Sequence, residues 1–176
     1  MKNKPKTTIS HNRAYVQRIS LCGMLTALML VLGYLESRIP LVPAMPGIKL
    51  GLSNAVLLYA VCLLPAPVTF LLMIIKVLLS ALLFGNPYAL AFSLAGGLFS
   101  CLGMLPAQRF GKFGLVGVSV IGGVLHNAGQ MLVALWLVGN MNILYYGAVL
   151  LLTGVGTGIL TGVTAGVVIK TVKPKK

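Results

Sequence analysis

Pro40-Leu-Val-Pro-Ala-Met-Pro-Gly-Ile-Lys-Leu-Gly-Leu-Ser-Asn-Ala-Val-Leu-Leu-Tyr59 is the longest interruption in a chain that is otherwise largely apolar. Three prolines, Pro40, Pro43 and Pro46, stop a helix here. Each lacks a backbone N–H and drives the residue before it toward extended geometry. Gly47 and Gly51 add turn freedom. Lys49 puts a charge just ahead of an apolar run, and Asn54 puts an amide inside it. The stretch reads as a structured loop that leads into a short membrane helix and walls or covers a ligand site.

Composition sets the solvent. The 176 residues are 58% hydrophobic and 9% charged, where a soluble domain carries about 25% charged residues. Too little polar surface exists to cover a water-soluble globule, so the bilayer is expected to surround the chain. Glu36 is the sole acid against fourteen Lys and Arg. The basic residues gather at the chain ends and between apolar runs, as positive-inside topology requires, so nucleic acid is not expected as a partner. Cys22, Cys62 and Cys101 lie in apolar segments without metal-ligand spacing and are expected to act as small hydrophobes. The first apolar run is long enough to remain as a span and is not followed by a cleavage pattern.

The expected fold is an all-α integral membrane protein with six transmembrane helices, at about 19–35, 52–64, 68–84, 88–105, 115–138 and 143–169. Residues 1–18 form a basic tail, 19–169 a single membrane domain, and 170–176 a second basic tail. Crossing about 30 Å of hydrocarbon takes about 20 residues. The second span is too short alone, so it must borrow from Ile48 to Gly51, or the Pro-rich segment must dip into the protein, where non-helical backbone is shielded. Eleven Lys and Arg fall on the side of the termini and two, Arg38 and Lys49, on the other. Both termini are therefore expected in the cytoplasm and the Pro-rich loop outside, with the protein in the cell membrane. Gly154, Gly158, Gly162 and Gly166 form a small-residue ladder expected to pack within the bundle.

Polar groups inside the spans mark the candidate site. Lys76 sits at the centre of the third span, where a charge costs about 2.5–3.5 kcal/mol on insertion scales. His126, Asn127 and Gln130 share one helix face by their spacing. Lys76 and His126 agree in depth within about one turn at about 1.5 Å per residue, with Asn54 and Glu36 expected further out. A pocket opening outward, lined by Asn54, Lys76, His126, Asn127 and Gln130 and gated by the loop with Lys49, is the functional reading. A structural hydrogen-bond network is the alternative for the His126 cluster. One acid in the whole chain excludes paired-carboxylate and Mg²⁺-cluster catalysis within it, and no Walker or nucleophile motif is present. No cofactor or metal is expected.

The run from Pro43 to Asn54, the His126-Asn127-x-x-Gln130 cluster and the six-span plan together resemble the Gx transporter family, also catalogued as heptaprenyl diphosphate synthase component I. More distantly, the chain is similar to S components of energy-coupling factor transporters. That resemblance implies a six-helix bundle that binds a small-molecule substrate for uptake. It also implies a docking face on the first helix, here Ser20, Gly23 and Ala27, for a transmembrane coupling subunit driven by ATPases. The synthase name implies a noncatalytic membrane partner in heptaprenyl diphosphate or quinone synthesis, because the chain has no aspartate for an aspartate-rich Mg²⁺-diphosphate motif. Uptake is the first expectation, the accessory subunit the second, and a ligand-free membrane scaffold the third.

Overall fold

The computed structural model describes residues 6–38, 51–85 and 87–172. The loop 39–50, with Lys49, lies outside the described residues, as do the outermost parts of both tails. Every regular element among the described residues is a helix: α1 (Lys6–Arg38), α2 (Leu52–Leu63), α3 (Ala66–Phe84), α4 (Pro87–Phe110), α5 (Leu115–Val138) and α6 (Ile143–Val172). Five of them, α1 over Tyr15–Arg38 and α3 to α6, are long and apolar enough to cross a membrane.

Six spans were expected, with the second too short alone, and the second helix is indeed short. α2 has 12 residues, about 18 Å at 1.5 Å per residue, against about 30 Å of hydrocarbon. Gly51 precedes it with φ 79°, the left-handed region that favours glycine, and the next residues upstream are the Pro-rich run. α5 begins and ends at the predicted residues. α1 starts at Lys6, so the helix runs through part of the stretch expected as a tail. Between Pro5 and Pro40 no proline interrupts it. α4 continues past Pro106, which gives up one backbone hydrogen bond within about one turn of where the helix stops.

α2 is apolar on all sides, and a helix of that kind belongs in a core. It packs against α1, α3, α4 and α6, with Ser53, Ala55, Val56, Leu57, Leu58, Ala60 and Val61 buried. Around it α1 packs on α3, α3 on α4, α4 on α5 and α5 on α6. Met29, Leu58, Met73, Cys101 and Val118 fill the space between them. The outward faces are apolar, with Leu82, Trp136 and Leu152 among the most exposed. Tyr88, Trp136 and Tyr145, all exposed, rim the end where α4 starts, α5 ends and α6 starts. Phe110 and Phe113 rim the other. Two aromatic rims are the pattern of the two membrane–water interfaces.

Glycines let α5 approach both neighbours. A Cβ at Gly123 would stand 2.5 Å from the Gly154 carbonyl oxygen, one at Gly158 2.7 Å from Val120 Cα, and one at Gly162 2.8 Å from Val116 Cα. On the other side, a Cβ at Gly129 would stand 2.6 Å from the Ala95 carbonyl oxygen. The glycine ladder of the sixth helix thus packs inside the bundle, against α5. The Ser119 and Thr161 hydroxyls bond at 2.7 Å across the same seam.

Candidate ligand pocket

The site follows from where α2 starts. Counting back from the α2–α3 turn at Pro65, Asn54 and Lys76 lie nine and ten residues from the near ends of α2 and α3. At about 1.5 Å per residue, both stand about 14–15 Å from that turn, near the middle of a bilayer core of about 30 Å. Asn54 was expected further out. A helix that begins halfway brings it level with Lys76 instead.

A cavity of about 80 Å³ occupies this level. Asn54 and Ser53 from α2, Lys76 from α3, and His126, Asn127 and Gln130 from α5 line it. Ser93 and Gly97 of α4 and Thr153 and Thr157 of α6 complete the polar wall, and Met29 and Met73 supply apolar surface. Five of the six residues expected to bind ligand therefore share one cavity. The sixth, Lys49, is outside the described residues. No carboxylate is among the lining residues, and Lys76 is the lysine among them.

Glycine positions two of these side chains. The His126 ring lies against α4 where Gly96 has no side chain: a Cβ there would stand 2.8–2.9 Å from three ring atoms. Gly97 makes the same room for Met73, whose sulfur would be 2.7 Å from an added Cβ. Asn127 is partly committed to structure. Its Nδ2 donates to the Leu150 carbonyl at 2.5 Å, and Thr153 Oγ1 donates to the same oxygen at 2.7 Å. That leaves Asn127 its Oδ1 acceptor and one amide N–H. Asn127 is thus tied into the seam between α5 and α6, and further donors for an anionic ligand oxygen come from other elements.

The start of α2 offers them. Ala55 is the first residue of α2 whose N–H bonds back, to the Gly51 carbonyl at 3.0 Å. Among the described residues the N–H groups of Leu52, Ser53 and Asn54 have no acceptor, as at a helix N-terminus, whose partial positive charge favours anions. The Gly51 N–H is taken by the Glu36 carboxylate of α1. Glu36 is 8% exposed, and its bond also holds the start of α2. Ser53 is 5% exposed, and its Oγ has no hydrogen-bond partner among the described residues.

Ser53, Ser93, Thr153 and Thr157 were not named as site residues. Thr153 and Thr157 lie beside the glycine ladder in the sequence, where packing is the plainer reading. Ser53 carried a signal, its place next to Asn54 at a helix start. Ser20, Gly23 and Ala27 of α1 are all exposed, and a Cβ at Gly23 would meet nothing within 4 Å. They therefore take no part in packing this bundle.

Residues 25–168 match a family model described as heptaprenyl diphosphate synthase component I. No curated protein and no solved structure matches the chain.

Proposed function

The chain belongs to the heptaprenyl diphosphate synthase component I family, and we propose that it is the noncatalytic membrane component of such a synthase, holding the anionic end of an isoprenoid diphosphate at mid-bilayer. It is not the enzyme itself: a chain without aspartate has no aspartate-rich motif for Mg²⁺-diphosphate. The observation that carries the reading is the donor set of the cavity. Lys76, the N-terminal residues of α2 and Ser53 line a space that no carboxylate lines, and Ser53 Oγ has no hydrogen-bond partner among the described residues. Ligand oxygens bearing negative charge satisfy such donors through charge-assisted hydrogen bonds. Gln130 and His126 add donors one helical turn apart on α5. The catalytic partner is a separate synthase component. The excess of basic residues at the chain ends supports cytoplasmic termini and a place in the cell membrane.

Family membership favours this reading over uptake, which was the first expectation. One observation still supports uptake: Ser20, Gly23 and Ala27 face outward and unpacked, as a docking face for a coupling subunit would. One experiment separates the two. The full chain is purified gently from its native membrane, its partners are identified by native mass spectrometry, and inorganic diphosphate is titrated into wild type and Lys76→Ala. The synthase reading requires a synthase partner and diphosphate binding that Lys76→Ala weakens. A loss of 1.5–3 kcal/mol, the usual worth of hydrogen bonds to charged groups, is about ten- to a hundredfold in Kd. Copurifying ATPases with no diphosphate binding would establish uptake instead.

A further inference from the structure

A second cavity, of about 160 Å³, lies between α1, α3 and α4. Gly33 and Ser37 from α1, Ser80 and Ala81 from α3, and Ala89 from α4 wall it. These residues lie in the last turns of α1 and α3 and the first turn of α4, so the cavity runs toward the end of the bundle marked by Arg38 and Gly85. Lys76, Val77 and Ser93 line both this cavity and the central one. Lys76 therefore stands at their junction.

The walls suit a slender apolar group. Apart from Lys76 they are glycine, alanine, Val77, Phe84 and serine. Serines on helices return their hydroxyl protons to their own helix, as Ser37 does to the Tyr34 carbonyl at 2.7 Å, and so present a largely neutral surface. Small residues on three helices leave a slot where larger ones would have closed it. The central cavity is too small for a headgroup and a hydrocarbon chain together, and a chain attached to a headgroup at Lys76 has this slot next to it.

We propose that the slot between α1, α3 and α4 receives the apolar chain of an amphipathic ligand whose anionic end lies at Lys76. The site is then bipartite. The headgroup occupies the central pocket, the first isoprenoid units occupy the slot, and the remainder of the chain leaves toward lipid between the outer ends of α1, α3 and α4. This rests on the diphosphate reading of the central pocket and adds where the other end of the ligand goes.

The test uses the full chain in lipid nanodiscs and a prenyl diphosphate analogue with a photoreactive group on its first isoprenoid unit. Crosslinked residues are mapped by mass spectrometry, with and without excess inorganic diphosphate, in wild type, Ala81→Phe and Ser80→Leu. Crosslinks within residues 33–37 and 80–85, suppressed by inorganic diphosphate, are expected. Both variants fill the slot, so they should lose these crosslinks while still binding inorganic diphosphate with wild-type affinity. Two variants guard against one that fails to fold. Crosslinks on α5 or α6, or crosslinks at the slot residues that both variants retain, would overturn the assignment while leaving the headgroup site intact. If inorganic diphosphate neither binds nor competes, the headgroup reading falls and the bipartite site with it.

Discussion

Gly158 and Gly156 sit two residues apart on α6 and should respond to alanine unequally. A Cβ at Gly158 would stand 2.7 Å from Val120 Cα, 3.0 Å from the Ser119 carbonyl oxygen and 3.1 Å from the Val120 nitrogen. All three are backbone atoms of α5, so no rotamer change relieves the overlap. Ordinary contact begins at 3.4 Å, so the helices must part locally by about 0.7 Å. A gap of about 0.5–1 Å forfeits a quarter to a half of each dispersion contact along the seam. It also stretches the Ser119–Thr161 hydrogen bond of 2.7 Å. Overpacking of this kind costs about 1–3 kcal/mol. For a chain of this size each kcal/mol moves Tm by about 2–4 °C, so Gly158→Ala should lower Tm by roughly 2–12 °C. A Cβ at Gly156 meets nothing within 4 Å, and Gly156→Ala should stay within about 0.5 kcal/mol of wild type. The assay is thermal unfolding of the purified proteins in one detergent, followed by circular dichroism and by aggregation. Equal midpoints for the two variants would refute the idea that α6 glycines act through close approach to α5.

Other perturbations probe the site. Gly96→Ala pushes the His126 ring off α4 and should weaken diphosphate binding about tenfold, or about 1.4 kcal/mol, as read by calorimetric titration; unchanged affinity would remove His126 from the site. Ser53→Ala deletes a buried hydroxyl that has no partner among the described residues, so stability should hold or rise slightly. Diphosphate affinity should fall in the same variant, and a large loss of Tm instead would mark Ser53 as structural. Glu36→Gln keeps the shape of the acceptor for the Gly51 N–H but gives up its charge, at a cost of about 1 kcal/mol. Glu36→Ala should cost more, and a ranking in the other order by thermal unfolding would show that the bond to Gly51 does not hold α2 in place.

Much of the helical plan was legible because it depends on local chemistry. Pro65, Pro67 and Pro87 mark helix starts, glycines and asparagines mark turns, and long apolar runs need nothing else to become spans. α5 came out at its predicted residues because Gly114 and Gly139 bound it on both sides. The clustering of Lys76 with His126 and Gln130 was legible by counting residues from the membrane edge. Counting failed for Asn54, since it assumed that every span begins at a surface. The start of α2 is also held by Glu36, a residue 15 positions upstream of Gly51, and no periodicity reports a contact at that distance. Asn127 was placed in the right cavity, but its bond to the Leu150 carbonyl depends on the register of α5 against α6, which the glycines set through close approach. Thr153 and Thr157 look the same in sequence as the packing threonine Thr161. Only the packed bundle separates the two kinds.

The shortness of α2 also bears on how the protein is made. A segment of 12 residues is too short to partition into a bilayer by itself as it leaves the ribosome, since about 20 are needed to cross, and its unsatisfied ends would be costly in hydrocarbon. α3 follows after only two residues, and the turn at Pro65 joins the two as a helical hairpin. The hairpin with α3 is the smaller unit through which α2 can integrate, so α2 is expected to wait in the insertion machinery until α3 has been synthesised. A nascent chain that stops after Leu64 should leave α2 exposed to proteases or alkaline extraction, whereas one that stops after Phe84 should hold both. The binding cavity is then assembled late in biogenesis, when α5 and α6 close around a helix that the membrane alone would not have retained.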